Sequence, residues 1–164
     1  MDFRLTFRPP RLFIDTGALV AVYDTSDALH SVATQFRDDI LLPYQVDMLS
    51  SYYVIAETLN NLQRRLSARR MRKSEFDRAA DELILSTFLA NLEINDDVNR
   101  RALEIVNKFP RHFSFTDATS LALMERERIR HVFSFDHKFE WYPLRAGHTN
   151  VFLTRHPSSV PLVV

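Results

Sequence analysis

RLFIDTGALVAVYD, residues 11–24, decides how the rest of the chain is understood. Residues 12–15, Leu-Phe-Ile-Asp, form a short apolar run that ends on an acid, the pattern of a buried β-strand. The following TGALVAVYD is a helix, with Asp15 or Thr16 as its capping residue. A single acid at a strand end needs no function to explain it. Its meaning depends on whether other acids fall where the same fold would bring them beside it.

The chain continues as short apolar runs alternating with helical patterns. SDALHSVATQFRDDILL, residues 26–42, carries Ala28, Val32, Phe36 and Ile40 at i, i+4 spacing, can be capped by Ser26 or Asp27, and stops at Pro43. YQVDMLSS, 44–51, is a second strand running into the helix YYVIAETLNNLQRRL, whose Ile55, Leu59, Leu62 and Leu66 make a core stripe. Glu57 lies off that stripe, about 200° round from Ile55 and Leu59, on a face shared with Tyr53, Val54, Asn60 and Asn61. A basic connector, RRLSARRMRK, precedes a long helix over 74–92, with Phe76, Ala80, Leu83 and Phe88 among its apolar positions, so that the two helices form an antiparallel arm. LEIN, 92–95, is a third strand, followed by a helix over DDVNRRALEIVNKF that Pro110 ends. TDATSLALMERERI is a helix beginning beside Asp117, capped by Ser114 or Thr116. HVFSFD is a fourth strand ending on Asp136, and NVFLT, 150–154, a fifth at an edge.

Strand and helix alternation at these lengths predicts an α/β domain, a parallel sheet of four or five strands with helices on both faces and a helical arm. In such sheets ligands bind at the edge formed by the strand C-termini. Asp15, Glu57, Asp117 and Asp136 are all expected there. Converging carboxylates without basic partners repel one another and raise each other's pKa unless a divalent cation neutralises them. With oxygen donors, no cysteine and no paired histidines, Mg²⁺ or Mn²⁺ is favoured over Zn²⁺, and the chemistry suggested is attack of an activated water on a phosphodiester.

The ordered set LFIDTGALVAVYD…DALHSVA, YVIAETLNNL, FSFTDATSLALME and HVFSFDHKFE resembles the PIN-domain ribonucleases, in particular the VapC-type toxins of toxin–antitoxin pairs. The resemblance spans residues 11–153, leaving 1–10 as an N-terminal extension and 154–164 as a Pro-containing tail. It maps the family's four acids onto Asp15, Glu57, Asp117 and Asp136. It implies a Mg²⁺- or Mn²⁺-dependent endoribonuclease that cuts single-stranded or loop RNA to leave 5′-phosphate and 3′-hydroxyl ends. It also implies a homodimer, and a small antitoxin whose segment occupies the active-site groove. The extension bears more on the toxin role than on nuclease activity, since PIN nucleases of RNA processing outside toxin systems share the pattern. A PIN fold kept as a protein-binding module is a second reading, opposed by the presence of all four acids. A haloacid-dehalogenase-type phosphatase also ends its first strand on Asp, but wants a second Asp two residues on, where this chain has Gly17.

Thr116 is expected to orient a water or a carboxylate behind the site, or simply to cap its helix. Arg69, Arg70 and Arg72 are either a solvated connector or a surface that tracks RNA phosphates. Asp24, Asp27, Asp96 and Asp97 are better explained as helix caps, and none of the six histidines is read as a ligand. Lys plus Arg and Asp plus Glu both total 21, so no overall positive field recruits nucleic acid. The absence of Cys excludes disulfides, thiolate zinc sites and cysteine nucleophiles, and together with the lack of a signal-like or membrane-length apolar run points to a cytoplasmic protein without a membrane partner.

Overall fold

The computed structural model describes residues 11–85 and 87–142. The extension at 1–10, the fifth strand expected at 150–154 and the C-terminal tail lie outside the described residues. The order is β1 (Arg11–Ile14), α1 (Thr16–Tyr23), α2 (His30–Phe36), a π-helical turn (Arg37–Leu41), β2 (Asp47–Ser51), α3 (Tyr52–Ser67), α4 (Lys73–Leu85), β3 (Ala90–Leu92), α5 (Asp96–Lys108), α6 (Phe115–Glu127), β4 (His131–Phe133) and a 3₁₀ turn (His137–Trp141).

The four strands form one parallel sheet in the order β3-β2-β1-β4, with Leu12 opposite Met48 on one side and His131 on the other. β1 to β2 to β3 steps one way across the sheet and β3 to β4 steps back, so the right-handed rule for parallel crossovers puts α1–α4 on one face and α5–α6 on the other. The core runs through the sheet: Phe13, Phe36, Phe133, Phe139, Leu121 and Leu123 are fully buried, and Phe36 meets Phe133 edge to face at 4.9 Å. Only Arg128–Arg130 separate α6 from β4. So α6 ends at the sheet's N-terminal edge and begins at the C-terminal edge, as α3 does directly after β2.

Five details differ from the sequence pattern. The second helix starts at His30, not at Ser26, because Asp24 Oδ1 accepts from the Ser26 amide and Asp27 Oδ1 from the Leu29 amide, holding 24–29 in side-chain-closed turns. Its end widens into the π turn, which shifts burial from Ala28, Val32 and Ile40 to Ala33, Phe36 and Leu41. The long helix expected over 74–92 stops at Leu85: Ala90–Leu92 bond to Leu49–Ser51 as β3, and Phe88 lies exposed outside any helix. In α3 the buried positions are Val54, Ile55, Thr58 and Leu62, with Val54 turned inward because the helix packs against both α1 and β2. Finally β4 ends at Phe133, and Asp136 stands beyond it as the cap of the 3₁₀ turn.

Candidate active site

The C-terminal edge of the sheet is built outward from Asp15. β1 hands the chain to α1 there, and the Asp15 amide continues the ladder by donating to the Phe133 carbonyl at 3.0 Å. Asp15 occupies the N-cap position of α1, with extended backbone, yet its side chain makes no capping hydrogen bond. The residue is 5% exposed, and its carboxylate instead accepts from the Ser134 hydroxyl, Oγ to Oδ2 2.8 Å. Simple capping therefore does not account for this acid. Burial pushes the Asp15 carboxyl up to about 6; the Ser134 hydroxyl pulls it down, the neighbouring Asp117 pushes it up again, and the Thr16 and Gly17 amides oppose that.

The other acids arrive from three directions. Thr16 Oγ1 donates to Glu57 Oε2 at 3.4 Å, tying the second turn of α3 to the start of α1. Asp117 sits at the third position of α6 in a reciprocal capping box: its amide donates to Ser114 Oγ at 3.1 Å, and its Oδ2 accepts from the Ser114 amide at 2.8 Å. Its pKa is raised by burial first; the Ser114 amide and hydroxyl and Lys138 lower it, and Asp136 raises it. Asp136 accepts from the Lys138 amide at 2.9 Å and pairs with Lys138 Nζ at 3.3 Å, while its own amide donates to Ser134 Oγ at 3.0 Å.

Ser134 is fully buried and bridges two of the acids, fixing the Asp15 carboxylate relative to the Asp136 backbone. Ser134 has no role in the sequence reading, and Thr16 enters it only as an alternative cap of α1. Both had a signal there, a hydroxyl directly after one acid and two residues before another. Thr116 lies at the second position of α6, where its carbonyl accepts from the Thr119 and Ser120 hydroxyls at 2.8 and 3.0 Å.

Asp15, Asp117 and Asp136 are thus electrostatically linked in a chain, with Glu57 joined to them through Thr16. Among the described residues no Arg or Lys pairs with Asp15 or Glu57. The donor chemistry, four carboxylates with partly buried oxygens, suits a hard divalent cation. As the side chains stand, no three acids or histidines among the described residues are gathered closely enough to enclose one. Each carboxylate is turned onto a hydroxyl, an amide or Lys138. A shallow cavity of about 620 Å³ lined by Gly17, His112, Phe135, Asp136, His137 and Lys138 opens beside Asp136.

Arg69, Arg70 and Arg72 are exposed and follow the far end of α3, which lies about 15 Å along the helix from Glu57 at 1.5 Å per residue. Arg72 spends its guanidinium and amide on Glu75, each at 2.9 Å. Asp24 and Asp27 are also remote, both held by the Arg65 guanidinium, and Asp96 and Asp97 lie in the first turn of α5 behind the Asn95 cap. His30 Nδ1 meets the Ala21 carbonyl at 2.8 Å, which keeps it away from the acids.

The family model described as the PIN domain matches residues 12–143. In Mycobacterium tuberculosis, the protein named 23S rRNA-specific endonuclease VapC20 is 30% identical over 129 residues, 78% of this chain and 91% of that protein, in each of two strains. The crystal structure of M. tuberculosis VapC20, described as a Sarcin-Ricin loop cleaving toxin, superposes with a TM-score of 0.65 at 28% identity, covering 78% of this chain and 92% of that one.

Proposed function

The chain belongs to the PIN-domain family, and from that premise we propose that it is a metal-dependent endoribonuclease, the toxin of a toxin–antitoxin pair. The observation that carries this reading is Asp15: a buried carboxylate at a strand end, held by a hydroxyl instead of a base, facing a second acid that raises its pKa. An acid kept at such cost is unfavourable for stability and suits a site that acquires positive charge when it works.

Asp15, Glu57, Asp117 and Asp136 would hold Mg²⁺ or Mn²⁺, and the ion would supply an activated water and neutralise charge gathering on the phosphodiester. The chain's own groups prepare the site. Ser134 fixes the rotamer of Asp15, Thr16 orients Glu57, and the Ser114 box holds Asp117 at the mouth of α6. Lys138, already on Asp136, is placed to meet a phosphate oxygen. Attack of water on phosphorus, with one proton lost to solvent, would break the bond to the 3′ oxygen, which takes up a proton, and would leave the 5′-phosphate and 3′-hydroxyl ends expected of the family. Thr116, at the start of the same helix, orients a water or carboxylate behind the acids.

The substrate is RNA presented as a loop or single strand; the 23S rRNA specificity in the name of the M. tuberculosis relative makes the ribosomal sarcin-ricin loop the first substrate to try. A small antitoxin occupying the groove, a homodimeric assembly and a cytoplasmic location complete the proposal. Among the described residues no helix is long and apolar enough to cross a membrane. Arg69, Arg70 and Arg72 would contact only an RNA long enough to run along α3.

The test is cleavage of ribosomal RNA and of short loop RNAs by the purified protein and by Asp15→Asn, each with Mg²⁺, Mn²⁺ or EDTA. Metal-dependent cutting that disappears in the variant supports the assignment. Full cutting by Asp15→Asn, or no cutting by the wild type after any copurifying small protein has been removed, refutes it.

A further inference from the structure

Exposed large apolar side chains fall in a few places, and one of them adjoins the acids. Tyr52, Tyr53 and Phe115 are 63%, 37% and 41% exposed, and the Tyr53 and Phe115 rings lie 6.2 Å apart, tilted by 42°. Tyr53 and Phe115 both lie outside the core clusters. Tyr53 is one helical turn before Glu57 on the same side of α3, and Phe115 opens α6 two residues before Asp117. The pair therefore joins the beginnings of two helices that each deliver an acid to the sheet edge.

Resting on the ribonuclease reading, we propose that Tyr53 and Phe115 form a stacking surface for one unpaired base of the RNA, adjacent to the phosphodiester over the acids. Tyr53 precedes Glu57 by one turn of α3 and Phe115 opens the α6 turn that carries Asp117, so the rings border the edge at which the phosphodiester would sit. Aromatic faces accept any base and are closed to a base still stacked and paired in a duplex, so the surface selects unpaired RNA without reading a sequence. Both rings are exposed on a helical first turn where a polar residue would serve the helix equally well, and the Ser114–Asp117 box that caps α6 does not involve the Phe115 side chain. Continuity with the acids favours a base over a protein segment as the occupant.

The test measures binding of short single-stranded oligoribonucleotides to the Asp15→Asn protein, which binds without cutting, using intact RNA and a set with one abasic position each. Tyr53→Ala and Phe115→Ala are each expected to raise Kd about tenfold, within the range known for base–aromatic stacking. Tyr53→Phe and Phe115→Trp should stay within about twofold, which separates ring loss from a folding defect. One abasic position should weaken binding to the unaltered rings and remove most of the effect of Tyr53→Ala and Phe115→Ala. Unchanged Kd in both alanine variants, or a loss that no abasic position suppresses, overturns the stacking role alone and leaves the nuclease intact; rings that serve a protein partner give the first result. Failure of the unaltered-ring protein to bind any RNA overturns the ribonuclease reading and this proposal with it.

Discussion

Replacing Asp15 by Asn should make the metal-free protein more stable while destroying its activity. The Asp15 carboxyl moves from an ordinary 3.8 in the unfolded chain to about 6 in the native one. The native state therefore binds the proton more tightly, so the stability linked to this group is fully present below about pH 4 and is lost as pH rises through about 6. At about 1.4 kcal/mol per tenfold change in proton affinity, the loss above pH 7 is about 3 kcal/mol. Asn has no charge to desolvate and can still accept from Ser134 through Oδ1. For a chain of this size, the variant should melt about 6–12 °C above wild type at pH 7.5 in EDTA, and at nearly the same temperature at pH 4. Thermal melts by circular dichroism at both pH values provide the measurement. Millimolar Mn²⁺ should then close the gap by raising the wild-type melting temperature and not that of the variant, because only the native wild-type site gains a ligand. A variant that is less stable at pH 7.5, or a gap that does not change with pH, would refute the claim that Asp15 is held charged against its environment.

Ser134→Ala frees the Asp15 carboxylate and leaves the Asp136 amide without its partner, so it should cost about 1–3 kcal/mol and lower cleavage well beyond that, by kcat more than KM, in steady-state RNA cleavage assays. Arg65→Met strands Asp24, which is 1% exposed, and should destabilise by about 3 kcal/mol in urea titrations. Burial would raise the Asp24 pKa, but the Ser26 hydroxyl and amide and Arg65 hold it low, so that contribution is present above pH 3.8 and vanishes as pH falls through the native value. Neutralising Arg69, Arg70 and Arg72 together should reduce the slope of log Kd against log salt by about 2 for a long single-stranded RNA and leave that of a short oligonucleotide unchanged. An unchanged slope for the long RNA removes these residues from the interface.

What the sequence made legible follows from what kind of signal carries it. Strand-end acids are visible because β1 and the region of β4 are apolar runs that stop abruptly, and a parallel sheet sends all such stops to one edge. Glu57 lies off the apolar stripe of its helix, where an acid is ordinary, and only the family resemblance picks it out. Ser134, and Thr16 in any role beyond that of a helix cap, are not legible in the sequence since a hydroxyl beside an acid is common in any chain; their role exists only through the pairing of β1 with β4 and the packing of α1 on α3. The boundary between α4 and β3 was missed for a related reason: residues 86–92 carry no helix stop of the Gly or Pro kind, and it is hydrogen bonding to β2 that makes 90–92 a strand. The π turn at Arg37–Leu41 likewise arises from packing, which accepted Leu41 five residues after Phe36 where periodicity pointed to Ile40.

Two groups of acids in the same fold receive opposite treatment, and the contrast bears on function. Away from the sheet edge, Asp24 and Asp27 share the Arg65 guanidinium, and Glu75 takes Arg72 and the Thr25 hydroxyl. Asp24 and Glu75 are consequently held below the usual carboxylate range, Glu75 at about 2. At the edge, Asp15 and Asp117 are held above it, with Ser134 and Ser114 as their direct partners and Lys138 on Asp136 as the nearby cation. The chain carries as many basic as acidic residues, so cations were available to neutralise both groups. A structural cluster gains nothing from being left short of positive charge, since an unpaired buried carboxylate only destabilises. A site that binds a divalent ion and an anionic substrate in turn gains a great deal. An arginine fixed between Asp15 and Asp117 would already have supplied the charge that the ion brings, and would occupy its place.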